Sequence, residues 1–404
     1  MSDDRRVELT LSDADRLTLR TANVPAAHRC PYAETCGACQ LLGWDDATQA
    51  QWKQAQLVDV FKPLRVSPQA FLAAPQPLGY RRKNTYVFKA VKRDIIAGFY
   101  AGGSKRLLDI KHCLIQDPRA DALFKTLKRL MKEQRIVPYD PQTGEGTLKN
   151  VVIRTTTIGI MVILVNAQTQ FPGRKNLIQA LRQVHPEITS IIENTHPKDS
   201  PYVLSNRNTV IYGPDHLIET LGPWRFKVGP SSFFQVYPDQ ALRLFEDGLA
   251  HAELKSTDQV ADLYCGVGVF GLLAAKHVKQ VIGIESNPTA LSFAKDNAAL
   301  NQCTNVSFQR GDATEALQQL ERIDVVLMDP PREGATKAFI EGLMALNPRT
   351  IVYVSCNPIT QVRDLLQLSR QYTITHVRGA DLFPQTTHVE SVAVLQRSVT
   401  WNRR

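Results

Sequence analysis

The sequence has 404 residues, 43% of them hydrophobic, with 48 lysines and arginines against 39 aspartates and glutamates, a formal net charge of +9. That length exceeds one comfortable core and calls for two or three domains, and the hydrophobic fraction excludes a disordered chain. No apolar run reaches the length of a membrane span and Met1–Arg20 is charged rather than signal-like, so the expectation is a soluble, cytoplasmic, monomeric protein without a membrane partner.

Met1–Ala27 is polar and too short for a domain. Cys30–Gln40 is a tight Cys/Gly loop, followed by a helical stretch Asp45–Phe61 and a proline-punctuated segment Pro63–Pro77. Gly79–Lys111 carries nine basic residues (Arg81, Arg82, Lys83, Lys89, Lys92, Arg93, Lys105, Arg106 and Lys111) against Asp94 and Asp109. Tyr80, Tyr86, Phe88, Phe99 and Tyr100 are interleaved with them. Cations neutralise phosphates and aromatic faces stack on unpaired bases, so the segment suits a polyanion such as RNA, although aromatic residues in strands more often build core. Runs of period two at Asn84–Val91, Ile95–Tyr100 and Val151–Val165 predict antiparallel sheet, with a helix near Ala120–Gln134 and a hinge at Pro223–Pro238.

From Gln259 the pattern changes. Short apolar runs at Val260–Tyr264, Gln280–Ile284, Val306–Gln309, Asp324–Met328 and Thr350–Val354 alternate with helical stretches, the signature of a parallel sheet covered on both faces. Thr373–Gly379 and Val389–Gln396, joined only by a loop, predict an antiparallel hairpin closing one edge. The fold class is therefore α/β: a Rossmann-like domain with a mostly parallel sheet, joined to a β-rich α+β middle domain and a small cysteine loop. The expected boundaries are 1–65, 66–230 and 231–404.

Asp262–Phe270 (Asp-Leu-Tyr-Cys-Gly-Val-Gly-Val-Phe) follows a buried strand and opens a helix, so Gly266 and Gly268 let the backbone approach a ligand. Glu285 ends the next strand, where a carboxylate accepts hydrogen bonds from ribose hydroxyls. The third glycine of the dinucleotide fingerprint is absent, and Gly311-Asp312 can hold adenine. A nucleoside cofactor of the S-adenosylmethionine type fits better than NAD. Asp329-Pro-Pro-Arg332 follows another apolar strand, its prolines stiffening the loop that aims Asp329 into the crevice. Ser355-Cys356-Asn357-Pro358 ends the next, and Asn357-Pro358 turns the chain outward. C5 of uracil is a poor nucleophile, and a thiolate added at C6 makes it an enolate able to attack a methyl sulfonium. Glu390, in His388-Val-Glu390, is the candidate base for the C5 proton. Taken singly, each motif has an ordinary reading: a tight turn, an inert core thiol, a surface glutamate.

Taken in order, these motifs, together with Cys30-x5-Cys36-Gly-Ala-Cys39-Gln40, Cys113 and Phe233-Phe234-Gln235, resemble the RNA uracil-C5 methyltransferases, and among them the ribosomal RNA type, from Cys30 to about Arg397. The resemblance implies Cys356 as nucleophile and Glu390 as proton acceptor. It places Gln235, Tyr264, Glu285, Asp312 and Asp329 around the cofactor and target base, and implies 23S ribosomal RNA as substrate. Val269 stands where a close relative has asparagine, removing a polar contact, and the amino terminus is too short for the RNA-binding barrel of many ribosomal members. The same chemistry on transfer RNA is the alternative, and a non-catalytic RNA-binding or redox-sensing iron–sulfur protein is an alternative of another class.

Seven cysteines in an unexported chain argue for metal, cluster or nucleophile over disulfides. Cys30, Cys36, Cys39 and Cys113 make four soft ligands for tetrahedral zinc or an iron–sulfur cluster. The five-residue first spacer is longer than zinc sites favour, and the resemblance implies a 4Fe-4S cluster.

Overall fold

The computed structural model describes residues 8–92, 94–168, 170–196 and 203–398; Arg93 of the basic segment lies outside them. The chain divides into two compact units, one of Met1–Asn23, Gly43–Pro75 and Phe233–Arg404, the other of Val24–Leu42 and Gln76–Ser232.

The first unit is built on β1 (Gln69–Leu72), β2 (Gln259–Leu263), β3 (Gln280–Glu285), β4 (Val306–Arg310), β5 (Val325–Met328), β6 (Thr350–Ser355), β7 (Tyr372–Ala380) and β8 (Glu390–Arg397), in the order β1-β7-β8-β6-β5-β2-β3-β4. Only β8 runs antiparallel to its neighbours. The central strands are continuous apolar runs, buried throughout in β5 and β6, because helices cover both faces. The strand order reverses between β2 and β5, which opens a crevice at their carboxyl ends. One face packs Leu263, Val326, Met328, Phe339, Tyr353 and Leu365 into a single cluster.

Two expectations change here. The hairpin β7/β8 does not close the edge, because β1 adds to β7 in parallel, Gln69 opposite Arg378 and Leu72 opposite Ala380. Four residues inside a proline-rich stretch carry too little periodicity to announce a strand. The helix α1 (Asp46–Phe61), expected with the cysteine loop, packs instead in this unit. Asp45 caps it, accepting from the Thr48 N–H at 2.8 Å. Leu57 and Phe61 join the core, and the buried Lys53 ammonium lies 2.7 Å from Asp381 and 3.0 Å from the Phe383 carbonyl oxygen. The Gln49 amide donates to Gln385 at 2.8 Å and accepts its backbone N–H at 3.0 Å. These bonds tie the loop before β8 to α1.

The second unit carries a seven-stranded sheet ordered 107–109, 94–100, 83–91, 148–155, 160–166, 188–195 and 208–212, with a separate hairpin of Leu217–Leu221 and Trp224–Val228. Helices Pro118–Glu133 and Arg174–Val184 cover one face with Phe124, Leu127, Met131, Leu177 and Leu181. The apolar run Val151–Val165 is two strands, not one, turned at Thr156–Gly159 with Ile158 exposed. Trp224–Val228 is a hairpin strand where a hinge was expected. One strand pair, Ile160–Asn166 with Ile188–Thr195, is parallel, its crossover supplied by helix Arg174–Val184.

The interleaved aromatics separate by burial. Tyr86 stacks between Phe99 and Phe124 in the core, Tyr80 and Phe88 are buried, and Tyr100 is 52% exposed. The three consecutive cations are half-buried: Arg82 pairs with Asp117 at 3.6 Å, and burial, with Arg154 and Arg81 nearby, pushes the Lys83 ammonium down to about 7.

Candidate active site

The glycine loop follows β2. Tyr264 adopts a left-handed backbone at φ 66°, a conformation that costs a non-glycine residue about 1 kcal/mol or more and that persists where surrounding structure enforces it. Gly266 and Gly268 continue the turn at φ 56° and 88°. A Cβ at Gly266 or Gly311 would meet open space, whereas one at Gly268 would press on Phe308 and Ala294. Gly266 and Gly311 thus leave backbone open to a ligand, and Gly268 permits close packing beneath it. Glu285 accepts the Gly266 N–H at 3.0 Å and the Asn287 N–H at 2.7 Å. Asp262 accepts the Gly271 N–H of α2 (Val269–Ala275) at 2.8 Å. Val269, at the first position of α2, packs with Phe234 on Val267, Ala290 and Phe293, so it serves the loop's apolar underside. Gln235, next to Phe234 in the chain, is half-buried. Asp312 caps its own short helix through the Thr314 N–H, and its charge reaches Tyr264, whose phenol is pushed up to about 12 by burial and then by Asp312 and Asp364.

The second half of the site comes from β5, β6 and β8. Ser355 of β6 lies opposite Ser391 of β8, so the next antiparallel register position sets Cys356 against Glu390. Asn357 caps α3 (Pro358–Leu368) and donates from its side chain to the Arg332 carbonyl oxygen at 3.4 Å; Thr360 donates to the same oxygen at 3.2 Å. These bonds clamp the Asp-Pro-Pro-Arg loop to the cysteine turn. Glu390 is buried, and among the described residues its Oε2 has no hydrogen-bond partner. Burial, and then Asp329, raise its carboxyl well above the ordinary range, against Arg332. Burial alone pushes Asp329 up to about 7. Burial does the same to Asp262, with Asp329 and Glu285 adding to it and the Gly271 N–H opposing. The Cys356 thiol is pushed up to about 12 by burial, then by Glu390 and Asp329, and pulled down by Arg332.

Asp262, Glu285, Asp329 and Glu390 therefore gather four carboxyl groups in one water-poor crevice, where burial favours protons on Asp262, Asp329 and Glu390 that a bound cation would displace. Such a crevice favours a cationic ligand, and S-adenosylmethionine, with its sulfonium and ammonium groups, fits that charge and the open glycine backbone.

In the other unit, Cys30, Cys36, Cys39 and Cys113 approach one another. Cys39 is pushed up to about 12 by burial and by the other three thiols, with Arg81 opposing; Cys113, raised mainly by burial, reaches about 11. Tyr32 bridges the two segments, its hydroxyl accepting the Lys111 N–H at 3.0 Å. Among the described residues, the only group of three His, Cys, Asp or Glu side chains with ligand atoms all within 4.8 Å is Asp247, His251 and His376, and there Arg378 already pairs with the carboxylate. No three of the thiols are packed that tightly.

A family model described as tRNA (Uracil-5-)-methyltransferase matches residues 224–398. An RNA methyltransferase of Halalkalibacterium halodurans is 36% identical over 378 residues, 91% of this chain and 82% of that protein. One from Staphylococcus aureus is 34% identical over 376 residues, 90% of this chain and 83% of that protein. The chain belongs to the RNA (uracil-C5) methyltransferase family. Among solved structures, this methyltransferase is similar to the Pyrococcus abyssi tRNA (uracil-54, C5)-methyltransferase in complex with S-adenosyl-L-homocysteine, with a TM-score of 0.74 and 28% identity over 91% of this chain and 86% of that one.

Sequence reasoning brought Cys356, Glu390 and Asp329 to one edge but gave no part to Asp262, Arg332 or His388. Arg332 is the cation facing both Cys356 and Glu390; its guanidinium also meets His388 Nδ1 at 3.0 Å and Glu8 at 3.2 Å. Both Arg332 and His388 sat inside motifs already singled out, so their place beside Cys356 and Glu390 in those motifs was the available signal. Among the described residues no helix is long and apolar enough to cross a membrane.

Proposed function

We propose that this methyltransferase forms 5-methyluridine in 23S ribosomal RNA, with Cys356 as nucleophile and Glu390 as the base. The reading rests on the register that sets Cys356 against Glu390 at the carboxyl edge of the sheet, beside the glycine loop. S-adenosylmethionine, when bound, supplies a methyl group on a cationic sulfur. The Cys356 thiolate adds to C6 of uracil, and the π electrons pass to the C4 carbonyl as an enolate. C5 then takes the methyl group, Glu390 removes the C5 proton, and the C6–S bond breaks with its electron pair returning to sulfur. Arg332 stabilises both the thiolate and the carboxylate. Asp262, Glu285, Asp312 and Asp329, with Gln235 and Tyr264, hold the cofactor and frame the base.

Cys30, Cys36, Cys39 and Cys113 hold a 4Fe-4S cluster in this reading. A Zn–S bond of about 2.3 Å brings tetrahedral thiolates to within about 4 Å of each other. The five-residue spacer between Cys30 and Cys36 is longer than zinc sites favour, which supports a cluster that interposes several iron and sulfide atoms. The cluster pins the loop 30–39 to the segment around Cys113 and supplies no step of the transfer.

A second reading, the same chemistry on a transfer RNA uridine, is favoured by the likeness to the P. abyssi enzyme. Mapping 5-methyluridine in both RNA classes from a strain lacking the gene separates the two. The mechanism is tested by Glu390→Gln, which should accumulate methylated RNA still bonded to Cys356 as a denaturant-resistant adduct, and by Cys356→Ala, which should give neither turnover nor adduct. A Cys356→Ala enzyme that still methylates uridine would overturn the assignment.

A further inference from the structure

We propose that a cleft in the unit 24–42/76–232, walled by the hairpin of strands 83–91 and 94–100, the loop to Leu107 and the turn at Tyr139–Gln142, binds a single-stranded stretch of the substrate RNA. The cleft encloses 450 Å³, room for a nucleotide and none for a duplex. Lys89, Lys105, Arg106 and Lys149 line it against one carboxylate, Asp140, and that carboxylate already accepts the Gln142 N–H at 2.8 Å. Lys89, Lys105 and Arg106 are exposed and make no ion pair among the described residues, so their charge is available to phosphates. Tyr100, the exposed aromatic of the basic segment, stands at the rim, and Tyr139 lies under the Lys149 ammonium, 5.4 Å from ring centroid to Nζ. Cations for the backbone beside an open aromatic face are the two elements that hold unpaired nucleotides without reading their sequence. A small acidic metabolite would need buried polar partners to fix its orientation, whereas this lining is exposed cations and ring faces. The inference rests on RNA as the substrate class and assigns recognition to residues remote in sequence from Cys356.

The test uses the full-length protein, a fluorescein-labelled oligouridylate and ribosomal RNA. Lys89→Ala/Lys105→Ala/Arg106→Ala should reduce the slope of log affinity against log salt by about 2, three phosphates at about 0.7 each for a single strand. Tyr100→Ala should weaken oligouridylate binding about 5- to 100-fold, and Tyr100→Phe should restore it, since the ring stacks without its hydroxyl. In methyl transfer KM for RNA should rise with kcat unchanged, and S-adenosylmethionine affinity should stay at the wild-type value, reporting an intact fold. Unchanged RNA affinity and salt slope in the triple variant, or duplex RNA competing as well as single-stranded RNA, would refute the cleft while leaving the proposed methylation standing. Wild-type protein that binds RNA through these residues yet transfers no methyl to uridine would do the reverse.

Discussion

Cys356, the proposed nucleophile, sits where its thiol form is favoured, and this can be measured. Burial, Glu390 and Asp329 raise the Cys356 thiol from 9.0 to about 12, three powers of ten less thiolate at any pH well below 9. Alkylation by iodoacetamide follows the thiolate, so at pH 8 Cys356 in free enzyme should react about a thousandfold more slowly than in denatured protein. Steric shielding would also slow it, and the pH profile separates the causes. A raised pKa makes the rate climb tenfold per pH unit beyond about pH 9, whereas shielding of an ordinary thiol gives a plateau there. Glu390→Gln removes the largest charge contribution and should speed the reaction at fixed pH. Peptide mass spectrometry after timed quenching reads each rate. A plateau near pH 9, or labelling as fast as in denatured protein, would refute the electrostatic account.

Other outcomes follow from neighbouring groups. Asp262, buried and raised to about 7, holds its proton to higher pH folded than unfolded, so its cost grows as pH rises from about 4 and is complete above about 7. Asp262→Asn should therefore stabilise the protein at pH 8 by up to about 4 kcal/mol, from 1.36 kcal/mol per unit, with the gain fading towards pH 5 in thermal melts. The same titration, with that of Asp329, should favour S-adenosylmethionine over neutral-sulfur S-adenosylhomocysteine more at pH 8 than at pH 6 in calorimetry; an invariant ratio would sink the charge argument. Lys53→Met strands the Asp381 carboxylate in the core and should cost about 3–5 kcal/mol in denaturant unfolding. Anaerobically purified protein should be brown with broad absorption in the blue, lost in Cys113→Ser; stoichiometric zinc without iron or sulfide would exclude the cluster.

Much of the catalytic edge was legible because strands and helices alternate so regularly after Gln259 that each motif falls on a strand end. Register, however, is not written in any one segment: that Cys356 faces Glu390 depends on how β6 and β8 align, which only their motifs hinted at. β1 was invisible because its four residues gain their order from β7, a partner far along the chain. The basic segment misled in detail, since Arg82 is tied to Asp117 and Lys83 is half-buried near Arg154 at the strand start while Lys89, Lys105 and Arg106 are exposed, a distinction of surroundings that composition does not record. Val151–Val165 hid its turn because Ile158 continues the apolar run although it lies exposed.

The discontinuity of the first unit sets an order of assembly on the ribosome. Residues 43–75 emerge before the rest of the unit, but β1 must wait for β7 and Lys53 for Asp381, 328 residues further along the chain. Residues 76–232 emerge between them and, with 24–42, can compact first, bringing all four thiols of the cysteine loop together before any of β2 to β8 exists. Pairings this distant in sequence form slowly, and meanwhile α1 shows Leu57 and Phe61 to solvent, an apolar face open to chaperones and proteases. A chain stalled before Tyr372 thus carries its own mark of incompleteness, and a fragment starting at residue 231 would leave Asp381 buried with no cation to meet it.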